Sequence, residues 1–420
     1  MAESPERSRP GRMWAERPWS EEKAAGNAAE VFRVFLRLGL TSFGGPVAHL
    51  GYYRAELVLR RKWLDEGAFA DIVALCQFLP GPASSQVAIS LGILRAGLPG
   101  ALAAWLGFTM PSAVAMILFG YGVMRFGDLS GAAWLHGLKI VAVAVVAQAV
   151  WGMAKSLAPD KERATIAVGA AILALAVPSS VGQIGAIAAG GLIGWGLLAN
   201  SAAAQAGAPL AVHLPRAWSI AAAVLFFGLL IGLPLLAAAV PAQPMKLFDS
   251  FYRSGALVFG GGHVVLPLLQ AEVVPPGWVS NDTFLAGYGA AQAVPGPLFT
   301  FSAYLGTVMG PKPNGWLGGL ICLIAIFLPS FLLLIGALPF WDALRRRLAV
   351  QSAMRGVNAA VVGLLLAALY RPVWTSAIFG PADFALGIAA FLLLALWAAP
   401  PWLVVIAGAI AAALVAAIIG

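Results

Sequence analysis

The chain has 420 residues, of which 60% are hydrophobic and 10% charged, with a mean hydropathy of +0.87 and a formal charge of +8. A soluble chain of this size carries about a quarter charged residues, so the composition excludes an ordinary cytoplasmic enzyme and predicts an all-α, polytopic integral membrane protein. The charge is also uneven: 20 of the 44 Lys, Arg, Asp and Glu fall in the first 67 residues, none between Ala164 and Pro215, and only Asp383 after Arg371. With no soluble basic domain to grip phosphates, the cationic excess reads as membrane topology and not as nucleic-acid binding.

Residues 1–27 mix both charge signs with Pro and Gly and lack an apolar core, so they are expected to form a disordered cytoplasmic tail and not a cleaved signal. Next comes a motif that recurs. Phe35, Arg37, Gly39, Phe43, Gly44 and Gly45 reappear 216 residues later as Phe251, Arg253, Gly255, Phe259, Gly260 and Gly261. Eleven residues past each glycine pair stand Glu56 and Glu272. Trp63, Phe69, Gln77 and Pro80-Gly81-Pro82 are then answered by Trp278, Phe284, Gln292 and Pro295-Gly296-Pro297. Phe108 to Ser112 is answered by Phe327 to Ser330, and Gly137 by Gly356. A repeat of this length means one structural unit used twice. The predicted organisation is a first repeat over 28–200, a linking transmembrane helix within 201–245, and a second repeat over 246–420.

Apolar stretches predict spans near Pro99–Met124, Ala132–Met153, Ala164–Val177, Val181–Leu198 and Ala217–Val240. Four more follow near Trp316–Phe340, Ala353–Tyr370, Ser376–Ala398 and Trp402–Gly420. The repeated motifs differ from these, because Gly44-Gly45-Pro46 and Pro80-Gly81-Pro82 interrupt segments too short to span. Glycine frees the backbone and proline removes a donor, so each is a predicted helix break, and non-helical backbone at membrane depth must be buried or line a wet cavity. Arg7 to Lys23 precede the first motif and Arg54 to Lys62 follow it, which the positive-inside rule places together in the cytoplasm and which favours a re-entrant segment. Five spans then separate the two motif sets. An odd number inserts the second copy from the opposite face, giving an inverted-topology repeat.

That architecture belongs to secondary transporters, whose site lies where the repeats meet. Arg37 and Arg253, each at the same distance from its Gly-Gly break, are costly at membrane depth and are candidate substrate ligands; the competing reading is a structural pair with Glu56 or Glu272. If Pro82 opens a half-helix, the amides of Ala83, Ser84 and Ser85 are free donors at a positive helix end, as are those of Leu298, Phe299 and Thr300 in the second copy. The hydroxyls of Ser84, Ser85 and Thr300 add donors. Gln77 and Gln292 bond either the substrate or freed carbonyls. Such a set, with Gly44, Gly45, Gly260 and Gly261, suits a tetrahedral divalent oxyanion, and Glu56 and Glu272 are the candidate proton-coupling groups. His49 and His263 occupy non-equivalent positions and read as structural hydrogen-bonding groups. Lys139 is either a supplementary charge or a helix-end snorkel. Asp65 and Ser280 read as N-caps. Neither Cys76 nor Cys322 has metal-site spacing, and no cofactor is indicated.

At Phe43-Gly44-Gly45-Pro46, Pro80-Gly81-Pro82 and their second-half counterparts, the sequence resembles the chromate ion transporter family in its long two-domain form. The resemblance implies a multi-pass inner-membrane protein with a cytoplasmic N-terminus. It would extrude chromate with the proton motive force, confer chromate resistance, and have the bilayer and a second copy of the chain as its expected partners. Gly262-His263 replaces Pro46-Val47 in the second copy, so the halves are not expected to be equal. A sulfate or other oxyanion transporter and a passive anion channel remain alternatives. A membrane enzyme is disfavoured, since His49, His136, His213 and His263 form no catalytic cluster in the sequence.

Overall fold

The computed structural model describes residues 26–126, 133–198, 215–240, 242–259, 262–341, 343 and 347–419. Gly260 and Gly261 lie outside the described residues, as do most of the predicted tail and residues 201–214 of the predicted link. The chain is all-α and polytopic. Among the described residues, six helices are long and apolar enough to cross a membrane.

The first copy opens with α1 (Ala28–Thr41), started by Asn27, whose side chain accepts the Glu30 amide at 2.7 Å. After the Gly44-Gly45 break come α2 (Gly45–Tyr53), a wide π-turn over Arg54–Arg60, and α3 (Glu66–Phe78). Asp65 caps α3 through the Ala68 amide at 2.8 Å, as its position after Trp63 predicts. Helix α4 (Ala83–Phe126) bends sharply at Ala96 and Gly97, leaving a short arm before the bend and a membrane-length arm after it. Then follow α5 (Ala133–Leu157), α6 (Lys161–Ala176), α7 (Ser180–Leu197) and the link α8 (Arg216–Ala239).

The second copy repeats the order as α9 (Gln243–Ala256), α10 (Val265–Val273), α11 (Asn281–Ala291), α12 (Phe301–Val308), α13 (Gly315–Ala337), α14 (Leu348–Ala368), α15 (Pro381–Ala395) and α16 (Pro401–Ile419). Ser280 caps α11, accepting the Thr283 amide at 3.1 Å. At 1.5 Å per residue, α1, α3, α9 and α11 are each only about 17–21 Å long, short of the roughly 30 Å of hydrocarbon. They enter and stop, which is what the Gly and Pro breaks require.

Two sets of glycines set the packing. A Cβ on Gly39 would stand 2.7 Å from the Gly107 carbonyl, and one on Gly255 would overlap the Ile326 carbonyl. The repeated glycine after each arginine therefore lets α1 lie on α4 and α9 on α13 at backbone contact. Gly137 meets the Gly408 carbonyl and Gly356 the Gly190 carbonyl in the same way. These contacts interlock the copies: α5 packs on α15 and α16, and α14 on α6 and α7. Helix α8 touches α9 and α13 but keeps only 22% of its apolar window inside the protein, so its other faces are left for lipid.

Candidate functional site

The two kinds of break cross each other, reciprocally. Gly81 donates its amide to the Val258 carbonyl at 2.6 Å, and Gly296 donates its amide to the Ser42 carbonyl at 3.0 Å. Ser42 and Val258 are equivalent residues, each two before its glycine pair. The Pro-Gly-Pro turn of each copy is thus hydrogen-bonded to the Gly-Gly break of the other, as a two-fold axis between the copies would arrange. The repeated serines complete the pattern, since a Cβ at Gly81 would meet Ser330 Oγ at 2.7 Å and one at Gly296 would meet Ser112 Oγ at 2.8 Å. Gly44, Gly45, Gly81 and Gly296 all have positive φ (+99°, +75°, +126° and +102°), where a side chain is strained.

One small cavity lies at such a crossing. It has a volume of about 60 Å³ and is lined by Gly44, Gly45 and Pro46 of the first copy, Gln148 of α5, and His263, Gln292 and Gly296 of the second. At about 30 Å³ of liquid per water, that is room for two waters or one small polyatomic ion. Gln292 is among its lining residues, and the Nε2 of that side chain is buried with no hydrogen-bond partner, a donor without an acceptor. His263, which the sequence marks only as structural, lines the cavity while its Nδ1 lies 2.8 Å from Tyr288 Oη. A larger cleft of about 370 Å³ lies among α6, α7, α10 and α14, and contains none of the break residues.

Other predicted ligands go elsewhere. Arg253 does not line the cavity: its Nε and Nη2 donate to Asp249 at 3.0 and 2.9 Å, and Nη1 and Nη2 donate to Glu272, both at 2.9 Å. Arg37 is exposed and meets no carboxylate among the described residues. Glu56, its expected partner, is taken by Arg60 at 2.8 Å and Arg61 at 2.7 Å, because the π-turn winds the chain so that both arginines fall beside it. Gln77, the counterpart of Gln292, is exposed. Ser84 Oγ lies 3.3 Å from His49 Nδ1, whereas Ser85 Oγ is buried without a partner.

The expected free donors at the half-helix starts are found in one copy and reduced in the other. Gln86 makes the first helical bond of α4, to the Pro82 carbonyl at 2.9 Å, so the amides of Ala83, Ser84 and Ser85 precede the ladder. In the second copy a tighter 3₁₀ turn over Leu298–Thr300 engages the Thr300 amide with Pro297 O at 3.0 Å and its hydroxyl with the same carbonyl at 2.9 Å. Thr300 is therefore not a free donor: the i→i+3 turn consumes both of its groups. Lys139, nearly buried in α5, donates to Asp282 at 3.1 Å and ties the first copy to α11. Asp249 carries no signal in the repeat, since the first copy has Arg33 in its place.

Interlocked repeats of membrane-length helices, with broken segments crossed around a polar pocket, define a membrane transporter of the repeat type. The chain belongs to the chromate transporter family, whose model matches residues 29–195 and again 245–413. It is 31% identical to the chromate transport protein of Pseudomonas aeruginosa over 80% of this chain and 79% of that one. A chromate transport protein of Cupriavidus metallidurans is 28% identical over 80% of each chain. An uncharacterized transporter of Methanocaldococcus jannaschii is 26% identical over 84% of this chain and 86% of its own length. No solved structure matches the chain.

Proposed function

We propose that this protein is a secondary transporter, not an enzyme, that carries chromate out of the cell across the plasma membrane, driven by the proton motive force, and so confers chromate resistance. Its N-terminus is cytoplasmic, and repeats 28–200 and 246–420 insert in opposite senses, joined by the helix within 201–245. The observation that carries this reading is the unpartnered Gln292 amide in an ion-sized cavity between the first glycine break and the second Pro-Gly-Pro turn. Chromate offers acceptor oxygens in all directions, and an unpartnered donor is stabilised by donating to one of them. The names of the relatives from Pseudomonas aeruginosa and Cupriavidus metallidurans support the choice of chromate.

In this reading Gly44, Gly45, Gln292 and Gly296 hold the anion in the observed conformation. Gln77, Gly81, Ser84 and Ser85 serve the equivalent site of the other copy, Arg37 supplies charge towards balancing a dianion, and Arg253 adds to it only when one of its two carboxylates lets go. Glu272 is the better coupling group of the two acids, because a proton taken up by it releases Arg253 from one of its two carboxylates. The test is uptake of labelled chromate into everted vesicles. Uptake should collapse with an uncoupler, be competed by excess sulfate, and fall about tenfold in Gln292→Leu, the scale of one lost hydrogen bond to a charged group. Uptake by Gln292→Leu at the unaltered rate would remove the cavity from the pathway. Uptake indifferent to the uncoupler would remove the proton.

A further inference from the structure

The two arginines that the repeat makes equivalent stand in opposite electrostatic settings. On α1, Arg33, Arg37 and Thr41 follow one another at four-residue spacing, so they share one face; the helix ends at Thr41, and Gly44, past the break, lines the cavity. All four are exposed. The nearby acids are occupied elsewhere: Glu30 holds Arg95 at 3.1 Å, Glu56 holds Arg60 and Arg61, and Glu66 holds Arg54 at 2.7 Å. Arg33 and Arg37 meet no carboxylate among the described residues, so within that set their face carries two positive charges. On α9 the same row reads Asp249, Arg253 and Leu257, and with Glu272 it sums to one negative charge around a guanidinium already bonded at Nε, Nη1 and Nη2.

We infer that Arg33, Arg37 and Thr41 form a cationic ramp on α1 that delivers the dianion to the Gly44-Gly45 break, and that Asp249, standing where the first copy has Arg33, denies the opposite entrance such a ramp. This inference rests on the transport reading above and adds to it a polarity. A row of fixed charge beside a passage raises the local anion concentration and the on-rate at that mouth, and salt weakens the effect. It cannot shift the equilibrium across the membrane, which the driving ion sets. It gives the two faces unequal apparent affinities, tighter on the face from which an exported anion must be collected.

The experiment compares initial rates of labelled chromate entry into everted vesicles, which present the cytoplasmic face, with entry into right-side-out vesicles, each at low and high ionic strength. The wild type should show the lower KM at the cytoplasmic face, rising with salt there and little at the outer face. Arg33→Gln should raise the cytoplasmic KM about fivefold and flatten its salt dependence, within the range of electrostatic steering, with the outer KM unchanged. Arg33→Lys should restore both, and Asp249→Asn should lower the outer KM. Arg33 makes no ion pair among the described residues, so its variants are expected to fold, and their membrane level is checked in parallel. Wild-type vesicles that move chromate, combined with an Arg33→Gln protein whose cytoplasmic KM and salt dependence are unaltered, or whose loss is equal at both faces, would overturn the ramp alone. Wild-type vesicles that move no chromate would overturn the transport reading beneath it.

Discussion

Gly296→Ala is the substitution that most directly probes the crossing of the two breaks. At φ +102° an added Cβ is strained, and it would stand 2.8 Å from Ser112 Oγ, closer than real contacts come, and 3.2 Å from the Phe108 carbonyl, a tight contact. The turn must retreat by several tenths of an ångström, which stretches the 3.0 Å bond from the Gly296 amide to Ser42 O. Backbone strain of roughly 1–3 kcal/mol and a weakened hydrogen bond of about 1 kcal/mol give a total of about 2–4 kcal/mol. In a chain this long that is a loss of roughly 2–5 °C in melting midpoint. Borne by the transport cycle instead, it is about 30- to 700-fold in rate, at 1.4 kcal/mol per factor of ten. The steric part is separable. Ser112→Ala removes the Oγ that the new methyl would strike, so the double variant should recover about 1 kcal/mol of the loss, read as a coupling in a double-mutant cycle on the melting midpoint. Gly81→Ala and Ser330→Ala should couple more weakly, because there the added Cβ meets Gln86 Nε2 at 2.6 Å as well as Ser330 Oγ at 2.7 Å. A Gly296→Ala protein that melts and transports normally, or a Ser112→Ala background that recovers nothing, would refute the crossing as the reason for these glycines.

Three further outcomes are expected. Gly45→Ala should be milder than Gly296→Ala, about 1 kcal/mol in melting midpoint, since its φ is +75° but nothing lies within 4 Å of the added methyl. Arg253→Ala should destabilise the purified protein by about 3 kcal/mol by leaving Asp249 and Glu272 facing each other, and Glu272→Gln in the same background should recover part of that in thermal melts. Partial burial opposes ionisation of Glu56, but hydrogen bonds from Arg61 and Arg60 outweigh it and hold its carboxyl below the usual value of 4.5. A folded-state value below the unfolded one contributes stability that is present above pH 4.5 and is lost as the pH falls through the lowered value. Glu56→Gln should therefore flatten the decline in melting midpoint at acid pH, and an identical decline in both proteins would contradict the pairing.

What the sequence made legible was whatever both copies share. The apolar stretches anticipate the arm of α4 after its bend, α5 to α8 and α13 to α16 to within a few residues, since a lipid-dissolved helix needs little beyond length and apolarity. The breaks were legible because Gly and Pro act on the backbone locally. Partner choice was not. Glu56 and Glu272 have the same spacing from their arginines, yet only the second makes the pair, because Arg60 and Arg61 exist in the first copy alone and the π-turn beside them leaves no trace in composition. Arg253's other carboxylate, Asp249, is hidden by the same logic in reverse, as is the 3₁₀ turn that occupies Thr300. Repetition marks what the fold needs twice, and the asymmetries superposed on it are visible only once side chains have neighbours.

The reciprocal hydrogen bonds also constrain how such a protein can work. Gly81 to Val258 and Gly296 to Ser42 tie each copy's turn to the other copy's break, so neither break can move without displacing a turn of its partner. Each bond has a net worth of about 1 kcal/mol, small enough for a change of state to break or re-form both together within the few kcal/mol that separate conformers. The pocket that lies between Gly44 and Gln292 is therefore not a rigid cage. It is bounded by the same contacts that an alternation of access has to exchange, and a dianion bridging donors from the two copies would favour the arrangement in which those donors stand close. Binding and switching are in that sense one event at this crossing, with the unequal charge on α1 and α9 deciding from which mouth the anion most readily arrives.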